Sequence, residues 1–270
     1  MKRHLLPLLL LCALLCSLAS AAFAWETPVI GEKSDWSYQD DQRAIAIWRV
    51  QEGSATFFVA DVQIADVSVF RTALDSSMSP VSKLAKNAGA VLAINGDDYG
   101  THKYGVIIRN GELLRTHDTT RNLLAVDAAG DMHVKTDRKG EDYKALGQQL
   151  VGSGVWQTFE FGPELVQDGQ AVSFSPQFDV ISTKSTRLEP RTAIGQVGPL
   201  HYLIIVVDGR QAGYSAGMTL PDLQQLFIRY GAHTAMNLDG GGSAEIWFQG
   251  EILNQLAGGR ERPVSDIICF

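Results

Sequence analysis

The sequence predicts an α/β protein of α+β character, a mixed β-sheet with few helices that carries its site at C-terminal strand ends. Three observations point there. Most apolar runs are short and rich in Ile, Val and Phe, which suits strands. Two segments alone show persuasive helical spacing. Each of these runs into a glycine, a short apolar strand and an Asn-x-Asp triplet, so the chain holds two helix–strand–Asn-x-Asp units.

The first segment is not part of that fold. Lys2 and Arg3 precede an apolar run from Leu5 to Leu15, and small residues then close on Ala22-Phe23-Ala24. This is the layout of a cleavable secretory signal over residues 1–24. An uncleaved anchor is the alternative, because residues 5–24 could just span a bilayer, but the Ala-x-Ala ending favours cleavage. The mature chain, residues 25–270, is expected to be secreted, extracellular or in the cell envelope, with no stable membrane insertion. Cleavage removes Cys12 and Cys16, and Cys269 then has no disulfide partner. With 45% hydrophobic residues and no Pro- or Ser-rich linker, the remainder suits one large domain.

Charge narrows the partners. Leaving Lys2 and Arg3 out of the 23 Lys plus Arg gives 21 cations against 30 Asp plus Glu, a net of −9. Nucleic acid is therefore excluded as a partner. A phosphate-bearing substrate has to be held by a few local arginines and backbone N–H groups against the global field.

Along the chain, Arg43 to Val50, Ser54 to Ile64 and Asp66 to Phe70 read as strands of an N-terminal sheet, entered by a surface link at Asp40-Asp41. Val81, Leu84, Ala85 and Ala88 fall at i, i+3, i+4 and i+7, a helix started by Ser79-Pro80 and stopped by Gly89. Tyr104 to Arg109 and Glu112 to Arg115 flank Asn110-Gly111, a tight-turn pair, and predict a hairpin. Leu123 to Val126 and Met132 to Val134 flank Ala128 to Asp131 as a second one. Leu200 to Val207 and Glu245 to Phe248 also fit strands. Leu223, Leu226, Phe227 and Tyr230 repeat the helical spacing, with Thr219 and Asp222 as a cap and Gly231 as the end.

The two units align beyond their helices. Gly89 to Asp97 and Gly231 to Asp239 are identical at five of nine positions. Common ancestry and shared helix-to-strand turn chemistry account for this equally. Tyr202 to Val207, the second helix and Thr234 to Leu238 make a strand, crossover helix and strand, which predicts a parallel pair. Asp208 and Asp239 then follow strand ends on one sheet edge, where open α/β sheets place ligands.

Chemistry concentrates in Asn237-Leu238-Asp239-Gly240-Gly241-Gly242-Ser243, where three glycines let backbone N–H groups approach an anion. It is not a nucleotide P-loop, since no Lys follows and the next segment reads as a strand. Asp208-Gly209-Arg210 emerges from an apolar run, and Arg210 can grip phosphate oxygens in pairs; Asp-Gly is also a common turn. Hydrolysis at a sugar carbon needs a carboxylate at the anomeric centre, and Asp239, Asp208 and Asp97 are the candidates. Ser243 has no elbow motif and no base beside it, so it is assigned to orientation rather than attack. The histidines show no close-spaced pair. No cofactor is required by the sequence, the metal assignment stays open, and calcium at Asp97-Asp98 or Asp239 is only weakly signalled.

Taken together, Ala93-Ile94-Asn95-Gly96, Phe161 to Val166, Pro190-Arg191-Thr192-Ala193-Ile194-Gly195, Val207 to Gln211, Asn237 to Ser243 and Arg262-Pro263-Val264-Ser265 resemble the phosphodiester glycosidase family over residues 90–269. The resemblance implies a cleft lined by Asn95, Arg191, Asp208, Arg210, Asn237 and Asp239. It also implies hydrolysis of glycosyl-1-phosphodiesters of the N-acetylglucosamine-1-phosphate type, with a sugar-phosphate glycan of the envelope or an exopolysaccharide as substrate. The chain departs from the family at Gly96-Asp97-Asp98-Tyr99, where many relatives carry Gly and aromatics. A metal-dependent phosphodiesterase and a non-catalytic polysaccharide-binding module are the competing readings.

Overall fold

A computed structural model describes residues 25–31, 33–174 and 185–270, so the signal predicted over residues 1–24 lies outside the described residues. Eighteen strands and three α-helices are present among them. The main sheet has eight strands in the order β1 (Trp36–Gln39), β2 (Arg43–Glu52), β3 (Ala55–Ile64), β14 (His201–Val207), β13 (Arg191–Gly198), β15 (Thr234–Asn237), β11 (Glu164–Gln167) and β12 (Gln170–Ala171). A second sheet runs β17 (Glu251–Ile252), β16 (Ile246–Phe248), β5 (Leu92–Asn95), β18 (Val264–Cys269) and β4 (Arg71–Ser79).

Alternation along the strands decides the layering. On β3, Phe58, Ala60, Val62 and Ile64 face the second sheet's Leu92, Ile94, Ile246 and Ile268 in one core. Phe57 and Val59 face the other way, against Leu220, Leu223, Leu226 and Phe227 of helix α3 (Leu220–Arg229). Helix α1 (Val81–Ala88) covers the far face of the second sheet with Val81, Leu84 and Ala85 on Ala93, Trp247 and Ile267. The order is thus helix, sheet, sheet, helix. Burying each large apolar side chain contributes roughly 1.5–3 kcal/mol, so the three-layer contact around β3 is the main apolar store of the fold.

Both sequence-predicted helices form with the predicted punctuation. Gly89 ends α1 in the left-handed region at φ 60°, and the Thr219 hydroxyl caps α3 by accepting from the Asp222 N–H. The two units therefore occupy equivalent places, each helix on the outer face of its own sheet and each strand inside. The Asn110-Gly111 hairpin joins β6 (Gly105–Arg109) and β7 (Glu112–His117), with both turn residues at positive φ. The second hairpin, β8 (Asn122–Val126) and β9 (Met132–Lys135), pairs further with β10 (Gln157–Phe161).

Three expectations need correction. Asp66 to Phe70 is not a strand: Asp66 accepts from the Ser68 N–H, winds Val67–Val69 into a 3-10 turn, and the strand starts at Arg71. Helix α2 (Tyr143–Gly152) was not predicted; Gly147 and Gly152 dilute its pattern, and Gly147 instead lets it approach Leu113 and Thr116 closely. The parallel pair is not a bonded pair either. β13 lies between β14 and β15, antiparallel to both, so the two share direction and edge without sharing hydrogen bonds.

Candidate functional site

Register brings the functional edge together. Arg191 at the start of β13 stands opposite Val207 at the end of β14, and Ala193 stands opposite Asn237 at the end of β15. From the second sheet, Asn95 at the end of β5 reaches the same place. Its Nδ2 donates to the Asp239 carbonyl at 2.6 Å, while its Oδ1 accepts from the Thr192 hydroxyl at 2.8 Å. The two Asn-x-Asp triplets are thus joined to each other across the sheets. A cleft of about 340 Å³ opens there, lined by the glycine loop, Asp98, Asp239 and four arginines, Arg121, Arg191, Arg210 and Arg262.

Asp239 is the carboxylate at the cleft floor. The Gly240 N–H donates to its Oδ1 at 2.9 Å. Burial pushes its carboxyl up from the ordinary range; the Ser243 hydroxyl opposes this, neighbouring Asp98 adds to it, and Arg262 opposes it again. Asp98 shares the cleft and an adjoining hollow with Asp239. It stands at φ 71°, unusual for a residue other than glycine, and its carboxylate meets His102 Nε2 at 3.1 Å.

The arginines are held differently. Arg191 is buried, with Nε donating to the Met218 carbonyl at 3.0 Å and Nη2 to the Arg187 carbonyl at 3.0 Å. Burial pulls its pKa down to about 10, with Glu189 opposing and Arg210 adding to the shift. Arg210 sits at φ 62° and donates from Nε to Glu189 at 2.6 Å.

The glycine loop turns as a short 3-10 segment, Gly241–Ser243. Most of its amides are already used: Gly241 N–H donates to the Pro190 carbonyl at 2.9 Å and Ser243 N–H to the Gly240 carbonyl at 3.2 Å. Among the described residues the loop N–H groups of Asp239 and Gly242 have no protein acceptor, which narrows the expected anion cradle to these amides and the arginines. A Cβ on Gly240 would lie 2.7 Å from the Pro190 carbonyl oxygen, and Gly241 takes φ 61°. Gly242 meets nothing nearer than Arg262 Cδ at 3.5 Å.

Two predicted acids lie behind the cleft. Asp208 is buried, its Oδ2 accepting from the Tyr214 hydroxyl at 2.7 Å and the Gln255 N–H at 3.1 Å, its Oδ1 from Asn254 Nδ2 at 3.0 Å. Asp97 is buried too, with Oδ1 on Arg109 Nη2 at 2.8 Å and Oδ2 accepting from the Glu160 N–H at 2.6 Å. Arg109 also reaches Asp266 at 3.2 Å. These carboxylates tie loops together, and the acid the fold places beside Asp239 is Asp98. Asn237 donates from Nδ2 to the Gly162 carbonyl at 2.9 Å, fixing the end of β15. Buried Ser243 serves Asp239, with His233 turned to the surface beside Thr234.

Among the described residues no three or more His, Cys, Asp or Glu side chains converge in a metal-holding group. Sequence reasoning passed over Asp98 as a cleft acid, although it is the departure noted in Gly96-Asp97-Asp98-Tyr99. It also passed over Arg121, which has no motif around it, and over Glu189 and His102 as partners of cleft groups.

Known proteins agree with this architecture. The phosphodiester glycosidase family model matches residues 88–270. The SPbeta prophage-derived uncharacterized protein YomE of Bacillus subtilis strain 168 is 30% identical over 196 residues, which is 70% of this chain and 29% of that protein, so the chain spans under a third of that relative. In fold, the chain is similar to the catalytic domain of zebrafish N-acetylglucosamine-1-phosphodiester alpha-N-acetylglucosaminidase, auto-inhibited by its pro-peptide, at TM-score 0.67 and 18% identity, covering 84% of this chain and 82% of that one. It is also similar to a hypothetical protein from Synechocystis, at TM-score 0.60 and 14% identity, covering 85% and 62%. With one family model extending over more than half its length, this chain belongs to the phosphodiester glycosidase family.

Proposed function

We propose that the chain, once exported, hydrolyses glycosyl-1-phosphodiester bonds of the N-acetylglucosamine-1-phosphate type in envelope or exopolysaccharide glycans. The observation that carries this reading is the pairing of Asp98 and Asp239 in one cleft with arginines. The acids suit a sugar carbon that develops positive charge, and the arginines suit a departing phosphate.

In this reading the phosphate lies toward Arg191, Arg210 and the Gly242 N–H. Asp98 supplies an electron pair to the anomeric carbon, directly or through water. The bond from that carbon to the phosphate oxygen breaks, the electron pair leaves with the phosphate, and water completes the free sugar. Asp239, whose carboxyl is pushed up from the ordinary range by burial and by Asp98, faces the reacting sugar. Asp208 and Asp97 act as positioning residues, holding the Tyr214 and Asn254 segments and Arg109.

The test is incubation of the mature protein with UDP-N-acetylglucosamine and with a synthetic N-acetylglucosamine-1-phosphate diester, with and without chelator, read by mass spectrometry. Free N-acetylglucosamine supports the proposal. Sugar phosphate as the product, or loss of turnover on chelation, moves the chemistry to a metal-dependent phosphodiesterase and overturns it.

A further inference from the structure

The cleft draws its cations from three parts of the fold, with Arg262 leading into β18 of the second sheet. Arg191 and Arg210 belong to the edge of the eight-stranded sheet, whereas Arg121 enters beside β8 and β10. Its guanidinium lies 5.0 Å from the Phe161 ring centroid, and Nη1 donates to the Glu160 carbonyl at 3.2 Å. A ring and a carbonyl thus fix the plane of a half-buried cation. Among the described residues no carboxylate stands within ion-pair distance of it, while Arg210 is met by Glu189 at 2.6 Å. On a chain of net charge −7, an arginine held in plane at a cleft wall without a carboxylate is suited to a ligand anion, because its remaining N–H groups form a fork that matches phosphate oxygens.

We propose that Arg121 forms a second anion subsite, so that the substrate carries two phosphate groups, one at the scissile bond near Arg191 and Arg210 and one on Arg121. This rests on the function proposed above for the identity of the first phosphate. The two phosphates are adjacent in a diphosphate and separated in a phosphate-bridged polymer. Arg121 is a specificity-determining residue in either case.

The experiment measures binding of orthophosphate, pyrophosphate and glycerol 1,3-bisphosphate to the full mature chain by calorimetry, in the native protein and in Arg121→Gln and Arg121→Lys. A charge-assisted hydrogen bond contributes enough for about a ten- to hundred-fold change in affinity. The native protein is expected to bind one of the two-phosphate ligands at least about tenfold tighter than orthophosphate, and which one identifies the source. Arg121→Gln should remove that preference and Arg121→Lys restore only part of it, each at unchanged Tm. No preference in the native protein, or a preference that survives Arg121→Gln, overturns the proposal. Failure of the glycosidase reading looks different, since it appears as absence of free sugar in the product assay whatever the binding ratio.

Discussion

At the scale of single residues, acids of the same type divide by surroundings. Asp98 and Asp239 face the cleft, and Asp97 and Asp208 are enclosed by donors. Asp98→Asn and Asp239→Asn are each expected to lower kcat by about 10²–10⁴, the usual worth of a positioned acid or base. Asp97→Asn should instead lower Tm, because Arg109 loses a buried partner, a loss of about 3 kcal/mol. Parallel measurement of kcat and Tm in the three variants checks this, and a Tm loss confined to the cleft pair would reverse the assignment. A further acid lies outside the mechanism. Buried Glu245 is pushed up to about 9 by burial and by Glu261 beside it. The native state therefore binds this proton more tightly than the unfolded chain. Its stabilisation is complete below about 4.5 and is lost as pH rises toward 9, at up to about 1.4 kcal/mol per pH unit. Glu245→Gln has no such proton to lose. Its Tm should rise relative to the parent between pH 5 and 9, whereas parallel melting curves would contradict the assignment.

At the scale of elements, local chemistry was readable wherever a turn or cap depended on neighbours in sequence. Asn110-Gly111, Gly89 and the Thr219 cap all act within a few residues and all formed as predicted. Helix α2 was not readable because Gly147 in it answers to a hairpin distant in sequence. The glycine loop divides in the same way. Gly240→Ala should cost about 1–3 kcal/mol, since its Cβ would press on the Pro190 carbonyl, a backbone group that cannot swing aside. Gly242→Ala should stay within about 0.5 kcal/mol, because nothing lies nearer than ordinary contact. Denaturant unfolding of the two variants tests the contrast, and equal losses would mean that the loop relaxes as a unit.

At the scale of the whole molecule, the segment that follows the predicted signal is stitched to the main sheet. The Glu26 N–H donates to Gln63 at 2.6 Å and the Val29 N–H to Asp61 at 2.8 Å, while His201 bridges Asp61 and Glu26. A chain cut at Trp25 should therefore keep full Tm, and removal of residues 25–30 should lower it. Melting both forms would test this; equal Tm values would make the stitch dispensable.

The amino-acid sequence by itself determined about half of the strands, the two punctuated helices, both hairpins, the family and the edge on which the glycine loop lies, because each depends on periodicity or on groups a few residues apart. Tertiary structure alone decided which carboxylates see the cleft. Asp97 and Asp98 are neighbours in sequence, yet Arg109 and the Glu160 amide enclose one while the left-handed backbone at the other turns it toward Asp239. It also decided that β13 separates β14 from β15 and that Arg121 stands at the same cleft as Arg191. Burial and pairing across long sequence separations set these outcomes, and no short window of residues contains them.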